Sequence, residues 1–173
     1  MRGIRIAVIA SLLFIAAIIE STWFTIIALP GLVPPLVFVL VMSFAIRRNS
    51  ASAAVLGFAA GGLVDLIPPS TTPLGMSAFS FALIGFALSV IRPYLEGSLS
   101  LPILALSIAA LSDMFIKIIV ASFMGVTQSF TSDIFVNFLS LGLYAAMLAT
   151  FVLPISAWID SKITVKQKTI LFR

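Results

Sequence analysis

Four ionisable residues fall inside stretches that are otherwise apolar: Glu20, Asp65, Asp113 and Lys117. A charge held in hydrocarbon costs about 3 kcal/mol or more, so such residues pair with each other, line a polar cavity or meet a partner. Asp113 and Lys117 stand at the i,i+4 spacing that brings side chains together on one helix face, which suits an ion pair. Two readings stay open. In one, Asp113–Lys117 neutralise each other, Asp65 sits near the interface and Glu20 hydrogen-bonds to a neighbouring helix. In the other, the acids surround an outward-facing polar cavity or contact a partner. Neither supplies catalysis. The chain has no histidine and no cysteine, which removes the commonest general base and the thiolate and imidazole metal ligands. No Ser-His-Asp set or phosphate-cradling loop is present either, so no catalytic, cofactor or metal residue is assigned.

The elements that carry these residues follow from composition. Of 173 residues, 61% are hydrophobic and 9% charged, and the mean hydropathy is +1.25. A soluble domain of this size needs far more charge to cover its surface. Apolar runs of about 20 residues recur between short polar breaks, the length that crosses a bilayer as a helix. They lack the alternation of barrel strands, and every backbone polar group must be paired inside hydrocarbon, so an all-α bundle of six transmembrane helices is expected.

The six helices are placed at about Ile6–Leu29, from Pro35 to Arg47, Ala51–Ile67, from Pro73 to just before Arg92-Pro93, Leu99–Met124 and Ile134–Ile159. Proline stands at or beside nearly every boundary, where it cannot continue a helix. Residues 1–161 are read as one transmembrane domain and 162–173 as a basic cytoplasmic tail that contacts anionic headgroups. The first apolar run is longer than a signal-peptide core and lacks a cleavage site, so it is read as a retained helix.

Orientation rests on lysine and arginine. Arg2, Arg5, Arg47, Arg48, Arg92, Lys162, Lys166, Lys168 and Arg173 all fall on one side of a six-helix arrangement. The opposite connections, near Pro30, Pro68–Thr72 and Gly125–Asp133, contain no Lys or Arg. Both termini are therefore expected in the cytoplasm of a cell with this chain in its plasma membrane. Counting a rise of 1.5 Å per residue puts Glu20, Asp65 and Asp113 each about 21 Å up, in the outer half of the bilayer.

The third helix reads Ala53-x-x-x-Gly57-x-x-x-Gly61-x-x-x-Asp65, and the fourth continues with Gly75, Ala78, Ala82, Gly85 and Ser89. Small residues at this spacing let helices approach closely. The stripe serves packing within this bundle, with helices 3 and 4 as a hairpin, or contact with another subunit.

Gly57-Phe58-Ala59-Ala60-Gly61-Gly62-Leu63-Val64-Asp65-Leu66, a short Pro/Ser/Thr loop, then Pro73-Leu74-Gly75-Met76-Ser77-Ala78-Phe79 together resemble the MreD family of rod shape-determining proteins. That family carries G-L-x-x-D-L, a turn, and P-L-G-x-x-A-L. Phe79 stands where leucine is usual, and Pro34-Pro35-Leu36 lacks the acid of the family's P-D-L. The resemblance implies a non-enzymatic bacterial membrane subunit of the cell-elongation machinery that scaffolds or regulates lateral peptidoglycan synthesis. Its implied partners are the bitopic protein MreC, a SEDS glycosyltransferase with its penicillin-binding protein, and actin-like MreB on the cytoplasmic face. The family is also thought similar in fold to the substrate-binding subunits of energy-coupling factor transporters. That raises the rival reading of a vitamin-type transporter subunit, although aromatic residues are not concentrated in the outer loops. A membrane acyl or prenyl transferase is the third reading, without the acid or histidine motifs it needs.

Overall fold

The computed structural model describes residues 2–27, 34–67, 73–95, 100–123, 125 and 134–171, with side chains outside 2–8, 23–27, 134–135 and 163–171. All regular structure among them is helical: α1 (Arg2–Ile27), α2 (Leu36–Ala45), α3 (Ser50–Leu66), α4 (Met76–Leu95), α5 (Ser100–Phe123) and α6 (Ile134–Leu171). The protein is a six-helix membrane bundle. Among the described residues, three helical stretches, α4, α5 and residues 136–162 of α6, are long and apolar enough to cross a bilayer by length and composition alone. Phe14, Phe58, Leu104, Phe115, Leu139 and Phe151, among others, lie exposed on the outside of the bundle. In water such a surface would aggregate, and in lipid it is the natural solvent-facing side.

The short helix α2 is the centre of the molecule. Nine of its ten residues are buried, and it packs against each of the other five helices. Ten residues span only about 15 Å. The second helix, placed from Pro35 to Arg47 by the sequence, is as short as that placement implies. Pro34 and Pro35 bring no amide to hydrogen-bond, and the regular ladder begins only after them, at Leu36.

The tightest pair is α3 with α4. In a bilayer there is no hydrophobic drive between helices, so close backbone approach and interhelical hydrogen bonds take its place. A Cβ at Gly57 would come under 3.0 Å from the Phe81 carbonyl, and one at Gly61 under 3.0 Å from that of Ser77. From the other side, a Cβ at Gly85 would stand 2.9 Å from the Ala53 carbonyl oxygen. Buried Ala53, Gly57, Ala60, Gly61 and Asp65 make one face of α3. Val55, Phe58 and Leu66 face outward.

Two helix ends differ from the sequence expectation. α4 does not stop before Arg92-Pro93 but contains Pro93 and ends at Leu95, because a proline in the last turn forfeits a single ladder bond. α6 does not stop at Ile159. Its backbone stays helical through Lys162 to Leu171, with Pro154 inside it; no glycine or proline follows Pro154 to end it. The connections at 68–72 and 126–133, with Asp133, lie outside the described residues.

Candidate functional site

At the end of α3, the Asp65 carboxylate is buried and turned onto the start of α4. Its oxygens accept hydrogen bonds from the backbone amides of Gly75 at 2.9 Å, Ser77 at 3.1 Å and Ala78 at 3.3 Å. The first amides of a helix have no partner within it, and they carry the positive end of the helix dipole. An acid from the neighbouring helix thus caps α4. Gly75 takes φ +91° there, a left-handed conformation that favours glycine. A Cβ on it would meet nothing within 4 Å. Gly75, grouped by sequence with Ala53, Gly57 and Gly61 for helix packing or partner contact, here turns the chain and offers an amide. Ala78 is buried at the first turn of α4 and joins the cap through its own amide.

The same device recurs one hairpin earlier. Glu20 of α1 accepts a hydrogen bond from the Val37 amide at 2.7 Å, across the N-terminus of α2. Each of the first two outward-running helices therefore carries an acid that closes the start of the helix after it.

On α5, Lys117 and Asp113 form an ion pair of 2.8 Å. The other Asp113 oxygen accepts from the Ser80 hydroxyl at 2.5 Å, and Lys117 Nζ lies 5.2 Å from the centroid of the Phe81 ring. Phe81 in turn meets Phe38 of α2 edge-on, with centroids 5.1 Å apart. Glu20 is within electrostatic range of both Lys117 and Asp113. The four residues singled out from sequence are thus strung along the starts of two helices. Asp65, Asp113 and Lys117 meet the first turns of α4, and Glu20 holds α2 beside them.

Sequence reasoning missed Ser80, Phe81 and Phe38. Serine and phenylalanine are common in this chain, and Ser80 lies off the stripe of Ala78, Ala82, Gly85 and Ser89. Among the described residues no three Asp, Glu, His or Cys side chains gather as a metal cluster. The acids here receive amides, a hydroxyl and an ammonium, so the arrangement is built to hold helices in place.

The opposite end of the bundle is basic. The Arg47 guanidinium donates to the Leu153 carbonyl at 3.4 Å and Arg92 to the Arg47 carbonyl at 3.4 Å, while the Ser89 hydroxyl donates to the Arg48 carbonyl at 2.6 Å. The C-terminal end of α4 thus meets that of α2, which in turn meets α6, at this end. By the lysine and arginine rule it is the cytoplasmic one.

Laterally, a furrow of 660 Å³ opens between α5 and α6, lined by Leu111, Phe115, Phe138, Gly142 and Ala146 among others. Its one hydroxyl, Ser107, is turned back onto the Ile103 carbonyl of its own helix.

Compared with known proteins, residues 1–161 match the family model described as rod shape-determining protein MreD. No curated protein and no solved structure matches the chain. With a family match over nearly its whole length, on a helical membrane bundle, the chain belongs to the MreD family of rod shape-determining proteins, inner-membrane components of the cell-elongation complex.

Proposed function

We propose that this chain is a non-catalytic scaffold, one that holds a bitopic MreC-like protein and the SEDS–penicillin-binding protein pair together during lateral wall synthesis, with MreB beneath on the cytoplasmic face. The observation that supports it most is how the intramembrane charges are used. Glu20, Asp65, Asp113 and Lys117 are each engaged by backbone amides, a hydroxyl or one another. A site for turnover leaves a reactive group facing its substrate, whereas these groups fix helix ends. What the bundle leaves for others is lateral: exposed apolar side chains and the α5/α6 furrow, the surface another membrane helix packs on.

In this reading Ala53, Gly57, Gly61 and Asp65, with Gly75 and Ala78, act on partners indirectly, by keeping α3 and α4 at their close spacing. The transporter and transferase readings gain no support from the family match. The test is co-purification of the MreC-like protein from native membranes with the wild type and with Gly61→Leu. Loss of the partner, with cells of altered width, is the expected result. Normal width and full recovery of the partner on a variant whose hairpin has opened would defeat the proposal.

A further inference from the structure

The helix α6 is much longer than a membrane crossing. Its 38 residues extend about 57 Å, against about 30 Å for the hydrocarbon core and about 45 Å with the headgroups included. Trp158 is exposed, and Lys162 Nζ sits 5.6 Å from the centroid of its ring. An exposed tryptophan with a lysine one turn further on marks the headgroup level. The charge-free run of α6 also ends there, at Asp160 and Lys162. Beyond it the backbone remains helical over residues 163–171, about 13 Å more.

The chemistry of that extension is one-sided. No acid follows Asp160, while Lys166, Lys168 and Arg173 do. A basic helix that binds a membrane lies in the plane of the interface. To do so here it would have to break from the membrane-crossing part of α6, and no glycine or proline lies between Ile155 and Leu171 to make that break. At the same end of the bundle stand Arg47 and Arg92, which add to the positive potential.

We infer that residues 163–171 form a basic helical arm that leaves the membrane and docks on an acidic face of a soluble cytoplasmic protein. The arm rests on the scaffold reading for there being such a partner, and it adds the chemistry of the face that partner presents.

The chain has no cysteine, so Thr169→Cys gives a single attachment point for a spin label. The full-length protein is placed in nanodiscs of phosphatidylcholine alone, and of phosphatidylcholine with an equal part of phosphatidylglycerol. The label is expected to collide freely with a water-soluble nickel relaxant in both. Shielding from nickel and exposure to oxygen in the anionic discs would mean that the segment lies on lipid, and would overturn the proposal.

In the phosphatidylcholine discs a fluorescent poly-glutamate peptide serves as the acidic probe, read by anisotropy. Lys166→Gln/Lys168→Gln is expected to weaken its binding about fivefold or more. Equal binding by wild type and variant, or none by either, would overturn the arm. Neither measurement involves the bitopic partner, so failure of the arm and failure of the scaffold reading are told apart.

Discussion

The Asp65 carboxylate and the Ser77 amide, 12 residues apart in sequence, meet at 3.1 Å and join the end of one helix to the start of the next. The glycine spacing of α3 and α4 and the left-handed turn at Gly75 all serve to make this contact.

Asp65→Ala leaves the amides of Gly75, Ser77 and Ala78 without their acceptor. Each orphaned buried donor costs about 1–3 kcal/mol, so a loss of about 3 kcal/mol or more in stability is expected. Asp65→Asn keeps one carbonyl oxygen and should recover part of it. Unfolding by steric trapping in bicelles reads both; an alanine variant as stable as wild type would show that the cap contributes nothing.

Glycines 61 and 62 are neighbours with opposite surroundings. A side chain at Gly61 runs into the Ser77 backbone, while one at Gly62 meets nothing within 4 Å. Gly61→Leu is expected to push α4 off α3, and Gly62→Leu to leave the pair closed. Spin–spin distances between labels on cysteines introduced at the exposed Phe58 of α3 and Phe79 of α4 measure the separation. Identical distances in the two variants would refute the close-approach account.

For Asp113 and Lys117, either single alanine leaves a charge inside the bundle without its partner. The double variant leaves none, so its loss of folded yield should be smaller than the sum of the two single losses. Additive losses would mean that the 2.8 Å contact is energetically idle.

Glu20→Ala is expected to destabilise by about 1–2 kcal/mol through loss of the α2 cap, and Glu20→Gln by less. Hydrogen exchange at the amide of Val37 is the direct readout: it should speed up in the alanine variant. Unchanged protection there would separate Glu20 from α2.

Much of the architecture was legible in the sequence, since hydropathy, proline positions and one-sided cations act on every segment alike. The facing of Gly57 and Gly61 followed from small residues repeated every fourth position. What hydropathy does not report is where backbone amides find acceptors. For that reason the prolines marked the start of α2, but not the carboxylate of another helix that receives its Val37 amide. Gly75 read as a packing residue because its spacing matched the small-residue series, and spacing carries no information about φ. Residue type alone also overestimated Pro93 as a terminator: a proline forfeits one ladder bond, and α4 runs past it as α6 runs past Pro154.

The central position of α2 bears on how the protein is made. A segment of about 15 Å is too short to be held by lipid on its own, and its Val37 amide is held by a side chain of α1. Its remaining neighbours, α3 to α6, are synthesised after it. During biogenesis the nascent chain must therefore carry an unsettled second segment at the translocon until later ones emerge, and assembly of this bundle closes from the outside inward.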